Sequence, residues 1–200
     1  NKSGTIDNLH INSFSNNTIS SNLKIDGGIL YNESGTINGT LEIGQIVGNT
    51  IKAKTDFNGL ITNVAGNIDS ISIGSISDNN FEMNFMRGGI INLQGANVND
   101  ITIGEVNNNV ITGNENSTST GFILYLRELT SDSTISSNIG NFTVSQINGN
   151  TIKATNITSL LLRSALVPVE NATVISKNGN VTVGEISNNN LVAVDCNDNA

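Results

Sequence analysis

The sequence predicts an all-β chain wound as a parallel β-solenoid, and three observations carry that expectation. The composition disfavours helices: 36 Asn, 21 Ser, 19 Thr and 20 Gly accompany one Pro and no Trp in 200 residues, and these types prefer turns and caps to helix interiors. One phrase, apolar-x-x-Asn-x-apolar, recurs six times with its asparagines 32, 30, 30, 41 and 39 residues apart, the period of a repeat architecture. Each phrase is preceded by alternating apolar and polar residues and most are followed by a short apolar burst, so a repeat offers three strand-like segments.

The alternating segment opens the repeat: Leu9-His10-Ile11, Leu41-Glu42-Ile43, Ile71-Ser72-Ile73, Ile101-Thr102-Ile103, Phe142-Thr143-Val144 and Val181-Thr182-Val183. Alternation at period two gives a strand with one buried face. Gly44, Gly74, Gly104 and Gly184 follow it, with Ser13 and Ser145 as substitutes, and small residues there suit a tight corner. The recurring phrase comes next, at 14–19, 46–51, 76–81, 106–111, 147–152 and 186–191, and its fixed members are Asn17, Asn49, Asn79, Asn109, Asn150 and Asn189. The third apolar burst occupies 25–31, 60–64, 90–93, 122–126 and 160–166.

A unit of about 30 residues with strands of four or five cannot bury its apolar face alone. Stacking one unit on the next at about 4.8 Å creates a continuous interior of Ile, Val and Leu columns. The repeated Asn then becomes a ladder, each amide bonding the one above and the backbone of its turn. A hairpin meander or a β-sandwich gives no reason for one Asn to recur at this period. The last two intervals exceed 30 by about ten residues, and the excess falls at 113–120 with 130–137, and at 163–173 around Pro168. Loops leaving the coil and a wider coil with longer strands both account for it.

Ile-x-Gly-Asn-Thr-Ile, which is repeated at 46–51 and, with Asn in the variable place, at 147–152, resembles the repeat of right-handed parallel β-helix proteins, the pectin-lyase-like superfamily. The resemblance covers residues 9–194. It implies a right-handed parallel β-helix of about six coils with three short strands each. That family includes polysaccharide lyases and hydrolases, phage tailspikes, bacterial adhesins, and surface-layer or sheath proteins of bacteria and archaea, so the resemblance implies a fold more than an activity.

The chemistry-bearing residues are sparse. Polygalacturonase-like relatives would carry Asp-Asp and Gly-His-Gly, and this chain has neither. Its only His, His10, falls at an outward-alternating position and reads as an exposed strand residue. Asp7 and Asp69 occupy matching positions two coils apart with Asn38 between them, near 10 Å, which is too far for one Ca²⁺ shell of 2.3–2.6 Å. No catalytic residue, metal site or cofactor is expected. Arg87, Arg127 and Arg163 follow apolar residues in what reads as the third strand region, a candidate basic column for an acidic glycan; the simpler reading is outward side chains paired with Glu82, Glu128 or Glu170. Ser72, Thr102, Thr143 and Thr182 form a hydroxyl column of the kind ice-binding solenoids use, but no second Thr column runs beside it, and β-propensity explains it. Among nine Asn-x-Ser/Thr sequons, Asn32, Asn116 and Asn171 are the expected accessible glycosylation sites, in turn-like or inserted segments.

Nine basic and seventeen acidic residues give a net charge of −8, against a nucleic-acid partner or an anionic membrane surface. No apolar run reaches the roughly 18 residues of a spanning helix. The single Cys196 cannot form an internal disulfide. These features together lead to one expectation: residues 1–200 form a single β-solenoid domain, a segment of a longer repetitive protein. It is expected to be non-enzymatic, extracellular or at the cell surface, with a structural or adhesive role in a sheath or filament. Its partners are expected to be copies of itself, end to end or lateral, or a surface glycan or protein. The first rival is a carbohydrate-active β-helix such as a polysaccharide lyase or tailspike-like depolymerase; the second is an ice-binding protein.

Overall fold

The computed structural model describes residues 1–119, 122–128, 135–166 and 174–193, excepting the side chains of 114–119, 127–128, 135–138, 163–166 and 174–178. The chain winds through three parallel sheets, meeting each once per repeat. The first contains Thr5–Ile6, Leu9–Ser15, Thr36–Val47, Asn67–Ser77, Asn97–Asn107, Ile135–Asn148, Val174–Asn178 and Val181–Ser187. The second contains Thr18–Ser21, Thr50–Phe57, Asn80–Met86, Val110–Ser119, Thr151–Ala154, Asn156–Ile157 and Asn190–Ala193; the third contains Leu30–Asn32, Ile61–Val64, Ile91–Gln94, Leu124–Glu128 and Leu162–Leu166. Every strand pairing among the described residues is parallel, and no helix occurs among them. The fold is a parallel β-solenoid.

Register turns the sequence repeats into columns. Leu9, Leu41, Ile71, Ile101, Phe142 and Val181 are level with one another, as are Ile11, Ile43, Ile73, Ile103, Val144 and Val183. Their middle members are buried, and Phe57, Phe81 and Phe122 interlock across the interior at 5.7 and 6.1 Å between ring centroids. Each fully buried Ile or Phe contributes about 1.5–3 kcal/mol, so the columns are the main favourable term in folding.

Three local expectations need correction. First-sheet strands run to 12 residues in Thr36–Val47 and 14 in Ile135–Asn148, not four or five. They start earlier because a further inward column, Ile37, Ile68, Val98 and Ile139, precedes the alternating segment. The glycines after that segment do not turn a corner, since Gly44, Gly74, Gly104 and Gly184 lie inside strands, and the first coil's residue in their column is Asn12, not Ser13. A Cβ on Gly74 would stand 2.3 Å from the carbonyl oxygen of Gly44, so glycine lets the strands pass closely. The real corner lies at the residue before each ladder Asn: Asn16, Gly48, Asp78, Asn108, Gly149 and Asn188 all have φ of 53–67°, the left-handed region that Gly, Asn and Asp tolerate best.

The extra residues act in both expected ways. Gly113 is level with Met83 but Thr118 with Phe85, so the strand bulges between them. Ile135–Asn148 lengthens the first sheet and pairs with Val174–Asn178. Residues 120–121, 129–134 and 167–173, with Pro168, lie outside the described residues.

Candidate functional site

The six predicted ladder residues form one vertical file. Nδ2 of Asn17, Asn49, Asn79, Asn109 and Asn150 donates to Oδ1 of the next member at 2.8–3.0 Å. The same Oδ1 accepts the backbone N–H of the preceding member at 2.9–3.1 Å. The amide also reaches two carbonyls, one in the preceding coil and one in its own turn: Asn79 Nδ2 bonds Ile46 O and Ser77 O, and Asn109 bonds Ile76 O and Asn107 O, all at 2.9–3.1 Å. Asn49, Asn79, Asn109 and Asn150 are buried, and full pairing removes the penalty of about 1–3 kcal/mol that a lone buried amide would carry.

A second, shorter file was not foreseen. Asn1, Asn32 and Asn63 each donate from Nδ2 to the carbonyl of the glycine three residues on, Gly4, Gly35 and Gly66, and Asn32 also donates to Asn63 Oδ1 at 2.8 Å. The signal was an Asn-x-x-Gly phrase at 31-residue spacing, obscured because Leu93 takes the place in the next coil. This overturns the expectation that Asn32 is an accessible sequon: the side chain is fully buried, since it caps a turn from the inside. The Asn116 side chain and the whole of Asn171 lie outside the described residues, as does Cys196.

The basic column does not form. Arg127 is level with Gln94 and Ala165, while Arg163 is level with Tyr125. Arg87 follows Asn80–Met86 of the second sheet rather than a third-sheet strand. Apolar bursts that look alike in sequence fall on different sheets. The Arg87 guanidinium pairs with Asp56 rather than Glu82 and lies 5.0 Å from the Phe85 ring centroid; Glu82 binds Lys52 at 2.8 Å.

On the outer face of the first sheet lies a groove of about 450 Å³ lined by Asn8, His10, Thr40, Glu42, Ser70, Ile71, Ser72, Asp100 and Thr102. Glu42, Ser72, Thr102, Thr143 and Thr182 are level in one column; Thr40, Ser70, Asp100 and Asn141 form the next. Its carboxylates are engaged along the column. Asp100 Oδ1 accepts Nδ2 of Asn141 at 2.9 Å and its N–H at 3.2 Å, and Glu42 Oε2 contacts His10 Nδ1 at 3.0 Å. His10 Nε2 meets Asn12 Oδ1 at 2.6 Å, and this bond, reinforced by Glu42, raises the His10 pKa above its ordinary 6.5. Asp69 accepts from Asn99, and Asp7 from Asn38 at 3.5 Å. Among the described residues no three His, Cys, Asp or Glu side chains come together to hold a metal ion, and no helix is long and apolar enough to cross a membrane. Outward polar groups, like the inward asparagines, chiefly meet their counterparts one rung away. Comparison with known families, characterised proteins and solved structures finds no match, so the likeness to right-handed parallel β-helices remains one of repeat pattern.

Proposed function

We propose that the chain is a non-enzymatic extracellular β-helix with a structural or adhesive role on a cell surface, sheath or filament, of the surface type among the proteins its repeat resembles. The observation that carries this reading is the continuous ladder from Asn17 to Asn189. A rod whose rungs share the same bonds is a stiff, extensible spacer, because each coil contacts only its neighbours and length grows without new design. The groove carboxylates support it too, being bonded to neighbouring rungs instead of standing opposed across a substrate.

A carbohydrate-active role is the second reading, favoured by the position of that groove on the exposed first sheet. Antibody against the chain should label intact, unpermeabilised source cells, and incubation with pectin, alginate or other acidic polysaccharides should yield no unsaturated product absorbance. Labelling only after permeabilisation would reject the surface role, and product formation would establish the second reading in its place.

A further inference from the structure

We propose that the outer face of the first sheet docks on the outer face of the second sheet of another copy, packing the rods side by side. This rests on the reading of the protein as a structural rod of a surface or sheath, and deepens it by naming the partner and the two faces that meet.

The charges of the rod are sorted by face. On the first sheet Glu42, Asp69, Asp100, Glu105 and Glu185 are all exposed. Their bonds to Asn99, Asn141 and Asn107 engage Asp69, Asp100 and Glu105 with neutral amides, which leave the carboxylate charge uncancelled. Among the described side chains of that sheet there is no Lys or Arg, and His10 is its one base, already bonded to Glu42. The described side chains of the second sheet show the converse. Lys52, Lys54 and Lys153 are exposed on its strands and Arg87 follows one of them, against Asp56 and Glu82. Glu82 holds Lys52 and Asp56 holds Arg87 within the rod, so Lys54 and Lys153 set the sign of that face.

Charge complementarity selects the occupant. A chain of net charge −8 is repelled by its own copies, and first face on first face would set carboxylate against carboxylate. Of the pairings between these two faces, only the unlike one brings lysines to the acidic side. Glu42 and Asp100 line the groove of about 450 Å³, which gives a lysine side chain room to enter between them. Both faces carry rows of side chains at about 4.8 Å, because both are sheets of one solenoid, so the rows of two copies match in spacing. Strands of seven or eight residues, Asn80–Met86 and Thr50–Phe57, make the second sheet about 25 Å wide, and six rungs rise about 24 Å. Full overlap therefore covers about 600 Å² a copy, the lower end for a specific interface. A contact between unlike faces leaves each copy a further face to offer, so pairing propagates into rows, in which many weak contacts act together.

The test uses the 200-residue chain in reducing buffer, where Cys196 cannot link copies. Sedimentation of the unmodified chain should shift to larger species as concentration rises. Lys54→Glu with Lys153→Glu makes the second face acidic like the first; Asp69→Lys, Glu105→Lys and Glu185→Lys together turn the first face basic like the second. Either variant alone should lose the concentration-dependent shift while keeping the β circular dichroism, since every substituted side chain is exposed. Mixed in equal amounts the two should regain it, although both keep a negative net charge. An unmodified chain that stays monomeric, variants that associate as their parent does, or a mixture that stays dispersed would overturn the proposal. Surface labelling of source cells persisting in any of those cases would leave the functional reading standing.

Discussion

Asn109 shows how much one side chain does. It accepts the backbone N–H and Nδ2 of Asn79, donates to Asn150 Oδ1, and bonds the carbonyls of Ile76 and Asn107. Asn109→Ala strands several buried groups at once, so urea unfolding should show a loss of about 2–4 kcal/mol. Asn17→Ala, at a half-buried end, should cost clearly less. His10 answers to different physics. Bonds to Asn12 and Glu42 favour the imidazolium and raise its folded pKa, so its contribution is fully present below the unfolded pKa and fades as pH rises through the raised value. An NMR titration should place His10 above 6.5 and show the pKa falling in Asn12→Ala and in Glu42→Gln. No change in either variant would rule out those bonds as the cause.

At the scale of the strand and turn, the left-handed residue matters more than the sequence pattern suggested. Ahead of the ladder Asn this conformation is held by Asn, Gly or Asp at every rung, and their tolerance of positive φ explains why the position resists other types. Ala65 breaks that rule after Ile61–Val64, with φ 53° and an exposed side chain, while Gly95 takes the equivalent place one coil on at φ 57°. Ala65→Gly relieves the clash between Cβ and the backbone and keeps the Ala65 N–H bond to Gln94 O. Denaturant unfolding should show it more stable by about 0.5–1 kcal/mol; a loss would mean that unfolded-state entropy outweighs the strain. The same scale explains the failed arginine column: Arg87 follows a strand of the second sheet, whereas Arg127 and Arg163 lie in third-sheet strands two residues out of level.

Across the whole molecule the rod is held by nearest-neighbour contacts, so its protection should be graded from middle to ends. Native-state hydrogen exchange should be slowest at the amides of Asn49, Asn79 and Asn109, whose donors are buried between rungs. It should be faster at Asn17 and in residues 181–193, where the apolar columns are open; uniform rates would contradict a rung-by-rung stack. The winding, the interior face of each alternating segment and the Asn file were legible in the chain because each follows from a local period repeated often enough to be seen. The burial of Asn32, the heights of Arg87, Arg127 and Arg163, and the engagement of Asp100 and Glu42 were not. These depend on which residues of different coils come level, and a bulge of a few residues resets that register without leaving a mark in any single repeat.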